Sequence, residues 1–97
     1  MAKILCVEND LAVRETRCAV LKYSGYDAAS ASPQDAEVVL SSRKFDLIVL
    51  SGLGEFEQHR ILNLADGGQV LVLAELTLPD ALLTLIEGKL NGPQHRA

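Results

Sequence analysis

The run from Phe45 to Gly52 constrains this chain more than any other stretch. It reads Phe-Asp-Leu-Ile-Val-Leu-Ser-Gly, so an unbroken apolar segment is closed by a serine and a glycine. A strand that is apolar on both faces is typical of the centre of a parallel sheet, where helices cover both sides. Functional side chains in such sheets lie just beyond the carboxyl ends of the strands. Ser51 is therefore predicted to stand at a functional position.

Helix-like segments alternate with strand-like runs along the chain. Asp10 and the pair Ser32-Pro33 are typical helix starts, and Gly25 is typical of a helix end. The first helix has an imperfect inward stripe, because Thr16 and Arg17 are two of its members. Strands are predicted near residues 3–7, 26–31, 45–50 and 69–73. This alternation predicts right-handed crossovers and a three-layer α/β/α fold with a parallel sheet of four clear strands.

Composition narrows the class of protein. The chain has 97 residues and is predicted to form a single domain over 1–97, with a frayed tail at about 91–97. Hydrophobic residues make up 48%, which argues against disorder. The net charge is −4 and the basic residues are scattered, which argues against nucleic-acid binding. No apolar run approaches the length of a membrane span, so we expect a cytoplasmic protein.

The two cysteines fit neither a zinc motif nor a redox pair. Cys6 lies in a predicted strand and Cys18 on a predicted helix. Free cysteine is among the most buried residue types. We expect two reduced, buried thiols.

Three motifs together resemble the receiver domain of bacterial response regulators. They are Lys3-Ile4-Leu5-Cys6-Val7-Glu8-Asn9-Asp10, then Gly25-Tyr26, then Phe45-Asp46-Leu47-Ile48-Val49-Leu50. Their order and spacing match that family, and the likeness covers residues 2 to about 75. The resemblance implies a flavodoxin-like fold with strand order 2-1-3-4-5.

The resemblance also implies a site at the carboxyl ends of the strands. The family's magnesium-binding acidic pair falls on Glu8 and Asn9, with Asp10 beside them in the same acidic pocket. The phosphoacceptor aspartate falls on Ser51, and the switch hydroxyl falls on Ala74. The family's phosphate-sensing lysine has only Lys89 as a nearby candidate.

These positions depart from the family pattern in ways that matter chemically. Mg²⁺ prefers carboxylate oxygens, so only Glu8 and Asp10 remain as weak candidates, and Asp10 is also needed as a helix cap. A serine hydroxyl is a poor nucleophile without a base, and the histidines lie elsewhere, at His59 on a predicted helix and His95 in the tail. We therefore expect no cofactor and no enzyme activity. The sequence favours a pseudo-receiver that acts by contact with a histidine kinase, a response regulator or an effector.

Two other functions stay open. One is an active phosphoacceptor receiver with unusual ligands. The other is a small domain that binds an anion or nucleotide at Ser51-Gly52-Leu53-Gly54, where backbone amides precede a helix. The loop after the first strand lacks GxGxxG and a P-loop lysine, which counts against the second alternative.

The predicted edge strand of the sheet indicates that two chains associate. A receiver has five β-α units, whereas this chain has clear sequence for four, so residues 69–73 would form an edge without charge or proline. We expect a homodimer that buries apolar residues of this strand and of the last helix, namely Val70, Val72, Leu82, Leu85 and Ile86. The alternative is that residues 76–92 supply a fifth strand within one chain.

Overall fold

The computed structural model describes residues 2–65, 68–74 and 77–91. Strands and helices alternate along the chain. The strands are β1 (Lys3–Glu8), β2 (Asp27–Ala31), β3 (Leu47–Ser51) and β4 (Gln69–Val72). The helices are α1 (Leu11–Tyr23), α2 (Pro33–Ser42), α3 (Glu55–Ala65) and α4 (Pro79–Asn91).

The four strands form one sheet in the order β2-β1-β3-β4, and every pairing is parallel. The predicted architecture is therefore confirmed, including the central place of the run 45–50. All five residues of β3 are buried, as expected of a strand that has helices on both faces. Ser51 is the last residue of β3 rather than the start of a loop, which corrects its predicted place.

Local signals explain the helix boundaries. The side chain of Asp10 accepts a hydrogen bond from the amide of Val13, and Ser32 caps α2 through the amide of Asp35. After α1 the chain turns at Gly25, whose φ of +98° is open to glycine and strained for other residues.

Two apolar layers cover the two faces of the sheet. Side chains of α1 and α4, including Leu21, Leu82 and Ile86, pack with alternate residues of β1 and β3. Ala36 of α2 and Ile61 of α3 pack on the opposite face. Since side chains alternate along a strand, Ile4, Cys6 and Glu8 share the α1 face.

The structure corrects several sequence predictions about which residues are buried. Thr16 is exposed rather than inward-facing. Leu82 and Ile86 lie wholly inside the chain's own core, so they have no surface left to bury between two chains. Leu85 and Val72 are exposed and Val70 is half-buried, so these three stay available for an interface.

Residues 79–91 form a helix, so the alternative of a fifth strand in this stretch is wrong. In the described residues, β4 pairs with β3 alone. The frayed tail was predicted at about 91–97; Asn91 is the last residue of α4, and the rest of this segment lies outside the described residues. In the described part of the chain, no helix has the length and apolar character needed to cross a membrane.

Candidate functional site

Glu8 and Ser51 meet at the carboxyl edge of the sheet. They are paired across β1 and β3 in the strand register, so their side chains lie side by side on the α1 face. The Ser51 hydroxyl donates a hydrogen bond to Glu8 Oε1 at 2.7 Å. Both residues are buried, Ser51 with 4% of its surface exposed. The structure therefore brings together two of the predicted site residues.

Arg17 of α1 completes this cluster. Its guanidinium donates to the Ser51 hydroxyl, and its Nη1 lies 3.4 Å from Glu8 Oε1. The side chains of Arg17 and Glu8 are each 8% exposed, so the ion pair is buried. A buried charge is tolerated when it is paired and hydrogen-bonded. We refer below to Glu8, Ser51 and Arg17 as the buried triad.

The second carboxylate oxygen of Glu8 is also engaged. Oε2 accepts a hydrogen bond from the amide of Asp10 at 3.0 Å. Gly52 lies directly against this carboxylate, since a Cβ there would come within 2.1 Å of Oε2. The glycine also has a φ of +62°. Glycine is thus required at position 52 on both counts.

The side chains of Asn9 and Asp10 make hydrogen bonds outside the buried triad. The Asn9 amide donates to the carbonyl of Gly52 at 2.9 Å and to Glu57 Oε1 at 3.0 Å. The same Glu57 oxygen accepts from the amide of Gly54 at 3.1 Å. Asp10 caps α1 through the amide of Val13 at 3.1 Å. Neither side chain joins the buried triad, although both were predicted to share its pocket.

Of two other predicted site residues, Ala74 lies at the same carboxyl edge of the sheet as Ser51, whereas Lys89 does not. Ala74 follows Leu73 at the end of β4, where its carbonyl accepts a hydrogen bond from the Thr77 hydroxyl. Lys89 lies in the last turn of α4. The end of that helix lines a pocket with Ala2, Asp46 and Gln69, which stand at the amino ends of the strands. Lys89 is therefore near the opposite edge of the sheet from Ser51.

The residues present do not fit a magnesium ion of the receiver type. Both oxygens of Glu8 already have partners, Asn9 offers donors toward two oxygens, and Asp10 caps a helix. A cationic guanidinium lies beside both Glu8 and Ser51, where it repels a second cation. Among the described residues, no group of three or more His, Cys, Asp or Glu side chains is arranged to hold a metal.

Sequence reasoning placed Arg17 on the helix stripe but did not include it in the site. The signal was present, since a cation at an inward position of α1 has to find a buried partner. Glu8, at the end of the neighbouring strand, was the available acid. Sequence reasoning also gave Ser51 no neighbouring base, whereas the register brings the Glu8 carboxylate to its hydroxyl.

Solved structures with the same architecture include chemotaxis protein CheY4 of Vibrio cholerae. It matches with a TM-score of 0.72 and 18% identity, over 92% of this chain and 98% of that one. The fold is that of a CheY-like receiver domain. A response-regulator receiver domain from Methanospirillum hungatei JF-1 matches with a TM-score of 0.71 and 16% identity, over 100% of this chain and 99% of that one.

A third structure, of a response regulator, extends the comparison. The MaeR response regulator, solved with beryllium trifluoride bound, matches with a TM-score of 0.60 and 22% identity. The match covers 89% of this chain and 77% of that one. No protein-family model matches the sequence, and no curated protein matches it either. The comparisons therefore show the fold.

A groove of about 620 Å³ lies between α1 and the start of α4, beside the triad. Val13, Val20 and Leu78 contribute apolar surface to it, and Arg17 is part of its lining. The carboxyl edge of the sheet and the α1–α4 face therefore share one residue, Arg17.

Proposed function

We propose that this chain is a receiver-like module of two-component signalling that acts by protein–protein contact, without a cycle of metal-dependent phosphorylation. The observation that carries the proposal is the buried triad. The acceptor position at the end of β3 holds a hydroxyl that is already bonded to Glu8 and Arg17. The receiver fold supports the signalling role, and the triad supports the absence of phosphorylation.

An active receiver with unusual ligands is less consistent with these contacts. Glu8 is within hydrogen-bonding distance of Ser51, which is one requirement for activating a serine nucleophile. However, the Arg17 guanidinium donates to the same Ser51 hydroxyl and lies 3.4 Å from the same Glu8 oxygen, so both groups are already engaged with a cation. Ser51 is also almost fully buried, so a phosphodonor has little access to its oxygen.

Anion binding at Ser51-Gly52-Leu53-Gly54 is also disfavoured. The amide of Gly54 already donates to Glu57, and Glu55 and Glu57 place negative charge in the first turn of α3. Both features weaken the attraction of that helix end for a phosphate.

The partners follow from this mode of action. We expect a protein partner, either a histidine kinase, a response regulator or an effector, in the cytoplasm. We also propose a homodimer through the β4 edge. In the described residues this edge has one strand neighbour, and Val72 is 51% exposed on it. An uncharged edge of this kind favours pairing with another chain.

Incubation with an acyl-phosphate donor and Mg²⁺, read by intact mass, tests the proposal. The expected result is an unchanged mass under conditions in which a receiver with an aspartate at this position gains one phosphoryl group. A phosphoryl gain that is lost in Ser51→Ala would refute the proposal. A gain that persists in Ser51→Ala would point to a different acceptor and would refute it equally.

A further inference from the structure

The Glu8 carboxylate needs a cation because it is buried. Its side chain is 8% exposed at the end of the central strand pair β1–β3. Removing an ionised carboxylate from water is costly unless a cation and hydrogen bonds compensate. Hydrogen bonds come from the Ser51 hydroxyl and from the Asp10 amide. Neither of these donors brings a full positive charge.

Arg17 supplies that charge from a different element of the fold. Nη1 of its guanidinium is within hydrogen-bonding distance of the Ser51 hydroxyl and lies 3.4 Å from Glu8 Oε1. Arg14, one turn earlier on α1, contacts the main-chain carbonyl of Glu8 at 3.0 Å. The two arginines therefore have different roles at the same residue, since only Arg17 contacts the carboxylate.

We propose that the Arg17 guanidinium is the resident cation of this pocket, taking the place that a bound divalent ion holds in a receiver of the usual type. This role rests on the proposed function, because the substitution matters for signalling only if the module acts as a receiver. A side chain cannot dissociate as a metal ion can. The ends of β1 and β3 are thus tied to α1 at every metal concentration.

The same contact fixes the neighbouring surface. Arg17 belongs to the wall of the α1–α4 groove as well as to the triad. With its guanidinium anchored at the sheet edge, this part of the groove is held in one shape. The module then presents a constant α1–α4 face rather than one that follows phosphorylation.

Thermal unfolding of Arg17→Met in EDTA, and with Mn²⁺ added, tests this role. Methionine keeps an unbranched apolar stem but removes the charge, which leaves Glu8 buried without its cation. We expect the midpoint to fall by about 10 °C or more in EDTA, since breaking a buried pair costs several kcal/mol and each shifts a domain of this size by several degrees. Mn²⁺ is expected to recover part of that loss in Arg17→Met and to leave the wild-type midpoint unchanged.

Three control variants make the result specific. Arg14→Met makes the same change one turn away and should lower the midpoint much less, with no response to Mn²⁺. Arg17→Lys retains a charge and should fall between Met and wild type, also without a response. Glu8→Gln combined with Arg17→Met removes both charges and is expected to be more stable than Arg17→Met alone, because the uncompensated carboxylate is gone.

The outcomes that overturn the proposal are distinct from those that overturn the proposed function. If Arg17→Met loses no more than Arg14→Met, or if Glu8→Gln adds its own loss to that of Arg17→Met, Arg17 is not the counter-cation of Glu8. If Arg17→Met does not fold, the midpoints of Arg17→Lys and of the double variant decide, since rescue by either one supports the role and failure of both refutes it. Phosphorylation of the wild type would instead refute the proposed function and leave the charge pairing intact.

Discussion

The Ser51 hydroxyl donates a hydrogen bond to Oε1 of Glu8 at 2.7 Å, across the parallel pair β1–β3. Ser51 also accepts from the Arg17 guanidinium, so one hydroxyl serves both members of a buried ion pair. Its loss would leave a buried donor and a buried acceptor less satisfied. The Ser51 hydroxyl, at the position of the phosphoacceptor, therefore contributes to the stability of the fold.

Ser51→Ala is therefore expected to destabilise the protein. The loss should be about 1–3 kcal/mol, the usual cost of leaving buried polar groups without a partner. Ser30→Ala, on an exposed position of β2, is the matched control and should stay within about 0.5 kcal/mol of wild type. Urea denaturation measures both. Equal stability of the two variants would show that the hydroxyl contributes nothing to the pocket.

Gly52→Ala tests how closely the Glu8 carboxylate approaches the backbone. The new Cβ would meet Oε2 at 2.1 Å, and the φ of +62° disfavours alanine. We expect a loss of more than about 2 kcal/mol, because strain from left-handed backbone alone costs roughly 1–2 kcal/mol. Urea denaturation again gives the value.

Variants of two other glycines serve as controls that distinguish backbone strain from a steric clash with Glu8. Gly25 has a φ of +98°, and a Cβ added there would have no neighbouring atom within 4 Å, so Gly25→Ala should show only the backbone strain. Gly88 lies within α4 with open space around it, so Gly88→Ala should stabilise the helix by about 0.5–1 kcal/mol. A loss in Gly52→Ala no larger than in Gly25→Ala would contradict the close contact with Glu8.

Cys6 is expected to be unreactive in the folded protein. Burial, with a smaller contribution from Cys18, raises the pKa of its thiol to about 12, while Arg17 lowers it. The thiolate is the reactive form, so modification by a disulfide reagent at about pH 8, below the ordinary thiol pKa, should require unfolding. Rapid labelling of Cys6 in native buffer, located by peptide mass, would contradict this.

The raised pKa of Cys6 also predicts a pH dependence of stability. The unfolded thiol loses its proton near pH 9 and the folded one near pH 12, so above pH 9 the folded state binds more protons. Stability from this group is therefore complete below pH 9 and declines as the pH rises toward 12. Unfolding curves of wild type and Cys6→Ala should differ in slope over that range, with the wild type losing stability faster.

The homodimer is tested at Val72. Lysine in place of this exposed residue puts a charge on the β4 edge, which disfavours pairing with a second strand. Light scattering at micromolar protein should give a dimer mass for wild type and a monomer mass for Val72→Lys. A wild-type monomer mass that Val72→Lys leaves unchanged would end the dimer proposal.

The parallel direction of the strands and the central place of β3 could be predicted from the residues, because β3 is apolar on both faces and the strands alternate with capped helices. The order of the strands was implied only by the resemblance to receiver domains. Reasoning from the residues also placed Glu8 and Ser51 at one edge, since parallel strands end together. It did not find Arg17, because helix periodicity indicates which positions face inward but not how far a long side chain reaches. The ion pair depends on the register of α1 over the sheet, which no local pattern encodes.

The errors on the last helix have a similar physical origin. Leu82 and Ile86 were predicted to be buried, but a second chain was expected to cover them. In the structure α4 joins α1 on one face of the sheet and buries both residues against β1 and β3. Phe56 shows the converse, since an aromatic residue near the start of α3 remains exposed beside Arg60. Apolar character alone does not tell what covers a residue.

Titration of ¹⁵N-labelled protein with Mn²⁺, followed by amide spectra, tests the central claim most directly. Bound Mn²⁺ broadens the signals of nearby amides, so an ion at the carboxyl edge would reveal itself at Glu8, Asp10, Ser51 and Gly52. The account predicts that millimolar Mn²⁺ broadens these signals no more than those of exposed acidic residues such as Glu15. Selective, saturable broadening at Glu8 and Ser51 in the wild-type protein would contradict it, because the pocket would then hold a metal that Arg17 is proposed to replace.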